Sequence, residues 1–292
     1  MKFQMLKMAF AFCVLSIGSL SCVSAQKMSI VHTQTLDSLG APQGITAIGE
    51  DLFVYGDREI GIMRKYSGDE SLSYSGEQYQ FTINGENLIN HPTGIAWNGK
   101  SPTFIGNSIR LNKEGTKWKA VIYAIDWDGL MKTKTLDGNL FATIDDDACI
   151  QGTRPEYVTY QGEFMVATAD YGAQGNEVRL YDPQALFTAK RTSEPGVLVA
   201  KFTCSPWVQN LHWIPEKGIL VLIQNQIEGR TWRLTFLDFE ASIKIGKEVV
   251  LKQVDLDPTD ELEGFALFGD KNHGFAVSSS RKNNARLTQI TW

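Results

Sequence analysis

A five-residue figure returns five times along this chain: APQGI at 41–45, HPTGI at 91–95, RPEYV at 154–158, WVQNL at 207–211 and ELEGF at 261–265. Aligned without gaps, the central residues are Gln43, Thr93, Glu156, Gln209 and Glu263, spaced by 50, 63, 53 and 54 residues. A repeat of this length is one supersecondary unit that buries its hydrophobic surface only against its neighbours. The third repeat shows what the unit holds: YVTYQGE, FMVATADYG, EVRLYDP and VLVAKFT are short β-branched and aromatic runs separated by turn residues. Four short strands per repeat make a propeller blade. No segment sustains a helical period over the length a helix needs. The expected fold is all-β, a five-bladed β-propeller with four-stranded antiparallel blades.

The last repeat supplies three strands, GFALFGD, HGFAVSSS and ARLTQITW, before the chain stops at Trp292. SIVHTQTL, residues 29–36, is the expected fourth, so that N- and C-terminal strands close the ring and remove exposed edges. The figure then opens each innermost strand at one face of the ring. Five central residues converge on one mouth of the channel, joined there by the loops between second and third strands: GDREIG, GNSIRLNKEG, ADYGAQG, QNQIEGR and SSRKNN.

The first 25 residues read as a signal peptide and residues 26–292 as one propeller domain. Lys2 and Lys7 precede an apolar stretch, Met8 to Ile17, too short to span a bilayer, and Val23 and Ala25 are the small residues of a cleavage site. This predicts a secreted or periplasmic protein. Lipid attachment at Cys22 is the alternative, although Ser19 stands where a leucine is expected. No later run is long enough to cross a membrane. After cleavage 26 basic residues face 33 acidic ones, a net charge of −7, which argues against general nucleic-acid binding. Cleavage leaves Cys149 and Cys204, in the loops leading into adjacent blades; an oxidising compartment permits a disulfide between them, and two buried thiols are the alternative.

Three of the figures, Gln43-Gly44-Ile45, Thr93-Gly94-Ile95 and Glu263-Gly264-Phe265, resemble the blade starts of the SMP-30/gluconolactonase and strictosidine-synthase-like propellers. That resemblance implies a central calcium. Those families have six blades where this chain has five repeats, and their Asn-Gly and Asp-Gly calcium positions are not reproduced. The first-blade aspartate signature of five-bladed glycoside hydrolases is absent, so no catalytic residue carries over from them.

Glu156 and Glu263 are the two carboxylates among the repeated positions. With Gln43 and Gln209 they offer oxygen ligands suited to calcium. As an acid–base pair they would suit hydrolysis of a glycoside, ester or lactone. Held by arginines, they would only plug the channel. Arg58, Arg110, Arg154, Arg230 and Arg281 stand in the surrounding segments and suit capture of an anionic group. Thr93, Asn107, Asp170 and Asn225 add polar ligand contacts from the same level. His91 is a further general acid or base, or a partner of a loop carbonyl. Tyr171 and Trp207 can stack on a sugar ring or anchor their loops. His212 reads as a hydrogen-bonded core residue, and Asp145-Asp146-Asp147 as a solvated turn. The first reading is a binding protein for a small polar ligand, anionic or sugar-like. A hydrolase using Glu156 and Glu263 and a protein-interaction scaffold are the alternatives.

Overall fold

The computed structural model describes residues 27–57, 60–100, 102–149, 151–225 and 231–292. Strand β1 (Lys27–Gln34) precedes the first repeat. The first blade is β2 (Pro42–Ile48), β3 (Asp51–Asp57), β4 (Gly61–Gly68) and β5 (Leu72–Gln80). A short hairpin of β6 (Thr82–Ile83) and β7 (Glu86–Asn87) leads to the second blade, β8 (Pro92–Ala96), β9 (Thr103–Arg110), β10 (Trp118–Ile125) and β11 (Leu140–Asp145). The third is β12 (Glu156–Tyr160), β13 (Glu163–Ala169), β14 (Glu177–Tyr181) and β15 (Leu198–Thr203). The fourth is β16 (Val208–Ile214), β17 (Ile219–Asn225), β18 (Trp232–Asp238) and β19 (Val250–Leu256). The last consists of β20 (Leu262–Phe268), β21 (His273–Ser278), β22 (Ala285–Thr291) and β1. The protein is a five-bladed β-propeller with antiparallel four-stranded blades.

The expected closure is present. β1 pairs with β22 from Lys27↔Thr291 to Gln34↔Ala285. Past the strand, Asn284 clamps the chain on both sides: its Oδ1 accepts from the Leu36 backbone N–H at 2.7 Å and its Nδ2 donates to the Leu36 carbonyl at 3.0 Å.

Inner strands read as continuous apolar runs because each blade packs on two neighbours. β8 is buried at all five positions, whereas outer β15 and β19 are exposed at most of theirs. Five hydrophobic clusters result, one at each blade interface; Tyr55 with Ile105, Tyr157 with Phe104, Val158 with Leu211, Trp232 with Phe265 and Val54 with Phe275 belong to the five in turn. Full burial of such a side chain contributes about 1.5–3 kcal/mol. Stability therefore resides in the interfaces rather than in outer residues such as Val250 and Leu251.

Among the described residues three short α-helices depart from the all-strand expectation: α1 (Trp127–Thr133), α2 (Pro183–Thr188) and α3 (Phe239–Ile245). Each joins the third and fourth strands of blades two to four. They are too short to show a period, but Asp182 and Asp238 cap α2 and α3 by accepting from the Ala185 and Ala241 N–H groups at 2.7 and 3.0 Å. The chain after each helix bonds to the preceding blade. Gln80 N–H donates to Lys134 O at 2.8 Å, Asp145 N–H to Lys190 O at 2.9 Å and Thr203 N–H to Gly246 O at 3.1 Å. Outer strands that would be open edges thus have part of their backbone satisfied.

Two other expectations are corrected. Cys149 and Cys204 are free thiols. The Cys149 sulfur faces inward and accepts from Arg179 Nη1 at 3.3 Å, while Cys204 packs in the cluster between blades three and four. Asp146 is not solvated but fully buried, accepting from Tyr181 Oη at 3.0 Å and Thr192 Oγ1 at 2.8 Å. Asp147 accepts from the Ser193 N–H at 3.0 Å. The acidic turn fastens blade two to blade three. His212 is as expected: its Nε2 accepts from the Leu267 N–H at 3.3 Å, and burial lowers its pKa to about 3.

Candidate functional site

In four blades the central residue of the figure is a β-bulge. The register between first and second strands slips between Pro42 and Gly44, Pro92 and Gly94, Val208 and Asn210, and Leu262 and Gly264. A bulge turns one unpaired residue out of the ladder. Gln43, Gln209 and Glu263 thereby line a cavity of about 560 Å³ at the mouth. Thr93, at the fourth bulge, turns its hydroxyl onto the Thr153 carbonyl.

The third blade differs. β12 pairs with β13 from its first residue with no slip. The apolar residue packed against the preceding blade is Ile45, Ile95, Leu211 or Phe265 elsewhere and Tyr157 here. Glu156 therefore stands in register with Gly44, Gly94, Asn210 and Gly264, one place deeper than expected, and it is not part of the mouth lining. Desolvation pushes its carboxyl pKa well above the usual carboxylate range, against the opposing effect of the Trp213 backbone N–H.

Arg154, two places earlier, takes the vacant place at the mouth. It is 3% exposed and lines the cavity. Its Nε donates to the Gln209 carbonyl at 3.2 Å and its Nη2 to Gln209 Oε1 at 3.4 Å. The guanidinium lies 5.4 Å from the centre of the Tyr171 ring. Nη1 is buried without a hydrogen-bond partner among the described residues. Burial lowers the Arg154 pKa, opposed first by the charge of Asp170 and also by that of Glu263. Arginine's ordinary value is so high that the group stays charged.

Around this cation the remaining groups are largely fixed. Gln209 Nε2 donates to Glu261 Oε1 at 3.0 Å. His91 Nδ1 lies 2.8 Å from Asp57 Oδ2, and the His91 backbone N–H donates to Asn107 Oδ1 at 3.0 Å. The Gln43 amide, in a residue 6% exposed, meets the cavity with no hydrogen-bond partner among the described residues. Arg110 is exposed at the rim, its guanidinium 5.0 Å from the Trp118 ring centre.

Other expected residues have structural places. Asp170 accepts from the Gln151 N–H at 3.0 Å. Asn225 clamps Leu262 of the next blade, accepting from its N–H at 2.7 Å and donating to its carbonyl at 3.2 Å. Trp207 packs edge-on to Tyr171 with ring centres 4.9 Å apart. Arg281 lines a separate groove beside Leu36–Gly40. Arg58, Arg230 and residues 1–26, with Cys22 and the expected signal peptide, lie outside the described residues. Trp118, Glu261 and Ser279 also line the mouth, and Asp57 reaches it through His91; none carries a signal in the sequence beyond Glu261 being the first letter of the fifth figure.

The four oxygen donors expected for calcium do not fit that ion. Gln209 Oε1 already accepts from Arg154, Glu156 is outside the cavity, and the Arg154 guanidinium adds a positive charge to the same lining. Among the described residues no three His, Cys, Asp or Glu side chains gather as a metal cluster. No helix among them is long and apolar enough to cross a membrane.

No family model matches the chain. No curated protein matches it either. Solved structures do. A chain titled glucose dehydrogenase is 11% identical, with 91% of this chain and 99% of that one covered and a TM-score of 0.49. Hydrazine synthase of Kuenenia stuttgartiensis is 13% identical at a TM-score of 0.44, with 83% of this chain covered. A chain of the mitotic checkpoint complex is 12% identical at 0.41, with 85% of this chain covered. This protein spans 57% and 61% of the length of the last two. At such scores the likenesses carry no argument about the site.

Proposed function

We propose that the channel mouth binds a small polar anion, a sugar acid or similar carboxylate, in a protein exported from the cytoplasm. The observation that carries this reading is Arg154, a buried arginine of the cavity lining whose Nη1 has no hydrogen-bond partner among the described residues. Leaving a buried donor unsatisfied costs about 1–3 kcal/mol, and more for a charged group. A ligand carboxylate against the cavity-facing side of this guanidinium offsets its buried charge. The Gln43 amide offers both a donor and an acceptor to ligand hydroxyls, and the exposed Arg110 adds attraction at the rim. A hydrolase built on two glutamates has less support, since Glu263 lines the cavity and Glu156 does not.

Thermal-shift measurements test this with matched pairs: D-glucuronate against D-glucose, and D-galacturonate against D-galactose. Ligand binding to the folded state raises Tm, the more so the further the ligand concentration exceeds Kd. The acids are expected to stabilise the wild type more than the neutral sugars, and Arg154→Gln is expected to abolish the difference. Equal shifts from acid and neutral sugar, or an undiminished difference in Arg154→Gln, would overturn the reading.

A further inference from the structure

Holding an anion does not require His91 or Asp57, yet the mouth fixes the two in a definite geometry. Asp57 Oδ2 lies 2.8 Å from His91 Nδ1. An ionised carboxylate can only accept, so the proton between them sits on Nδ1, and the neutral form of this ring has its lone pair at Nε2. Asn107 holds the backbone of His91 through its N–H. The His91 side chain is 33% exposed, it lines the same cavity as Arg154 and Gln43, and Nε2 has no hydrogen-bond partner among the described residues. Among the described residues the other charged groups lining that cavity are Arg110, Glu261 and Glu263.

We propose that Asp57 and His91 are a general-base pair that activates water against an ester in the ligand whose carboxylate Arg154 holds. The proposal rests on the anion-binding reading above. In the first step a water O–H bond breaks and its proton passes to Nε2. The water oxygen bonds to the acyl carbon, and the carbonyl electron pair moves onto its oxygen, within reach of a donor such as the Gln43 amide. The acyl–oxygen bond to the alcohol then breaks, and the departing oxygen takes the proton back from Nε2. The products are a carboxylic acid and an alcohol, the imidazole is again neutral, and water is the co-substrate. His91 is the catalytic residue. Asp57 is a positioning residue that fixes the tautomer and steadies the imidazolium.

The test uses the mature protein and two probes, 4-nitrophenyl hydrogen succinate, which carries both a carboxylate and an ester, and 4-nitrophenyl acetate, which carries the ester alone. The wild type is expected to favour the succinate by at least about tenfold in kcat/KM, the worth of one charge-assisted contact. His91→Gln is expected to lose about 100-fold in kcat with its melting transition intact, the usual scale of a positioned base. Asp57→Asn should lower kcat and displace the acid limb of the pH–rate profile, which a purely structural role would leave in place. Arg154→Gln should act through KM for the succinate and narrow the preference. Hydrolysis no faster than buffer, or undiminished kcat in His91→Gln, overturns the general-base pair while leaving anion binding intact. Hydrolysis that depends on His91 but shows no preference between the probes overturns the anion-binding reading instead.

Discussion

A Cβ added to Gly264 would stand 2.7 Å from the Cα of Gly44, so the inner strands of the fifth and first blades meet backbone to backbone. The same closeness recurs in the second blade, where a Cβ added to Gly94 would stand 3.0 Å from Pro155. Narrowing the ring this far leaves room at the axis for a few side chains. Tyr55 of the first blade and Asn210 of the fourth meet there at 2.7 Å, and Asn210 Nδ2 also donates to the Glu263 carbonyl of the fifth at 3.2 Å. The mouth is thus a cup whose floor ties three blades together. Gly264→Ala should cost about 1–3 kcal/mol, the range for overpacking a close-packed site, measured by urea unfolding. An unchanged unfolding midpoint would mean that the strands are not this close.

Asn284 is the clamp on the closing strand. Asn284→Ala leaves the Leu36 N–H and carbonyl buried and unpaired, at about 1–3 kcal/mol for each group. A Tm loss of several degrees is expected, with hydrogen exchange quickened first along β1 and β22. Exchange that quickens uniformly, without preference for these strands, would contradict the clamp.

The ring and its closure were legible in the sequence because five repeats fixed the blade count and the last was one strand short. The position of the site residues was only partly so. RPEYV matches APQGI letter for letter at its proline, yet Pro155 falls where the other blades place their bulged residue. That slip of one place moved Glu156 off the mouth and brought in Arg154, whose backbone N–H donates to Thr168 Oγ1 at 2.8 Å. Bulges are backbone events with no side-chain signature, so spacing alone could not reveal them. The short helices escaped for a related reason: six or seven residues hold too few turns to display a period.

Glu156 makes stability depend on pH. Its carboxyl titrates near pH 4.3 in the unfolded chain and well above that in the fold, where burial favours the neutral form. Between those two values the folded state holds a proton that the unfolded state has released. Stability from this group is therefore lost as pH rises through that window. Glu156→Gln removes the effect with little change of shape. The variant should be at least as stable as the wild type at pH 8, and its Tm should fall less steeply from pH 5 to pH 8. Parallel Tm curves for the two proteins would contradict this.

The two thiols should remain free. Alkylation of the denatured, unreduced protein followed by mass spectrometry should label both Cys149 and Cys204. In the native protein labelling at pH 8 should be slow, because burial pushes the Cys204 thiol up to about 12 and Cys149 well above its ordinary value. A peptide linking the two cysteines would contradict the structure.

The central claim is that Arg154 recognises a carboxylate at the channel mouth, and calorimetric titration of D-glucuronate into the wild type and Arg154→Gln tests it most directly. The account predicts measurable heat for the wild type, affinity at least about tenfold lower in the variant for the loss of one charge-assisted contact, and no response to D-glucose in either. Equal affinity of wild type and variant for glucuronate would contradict it.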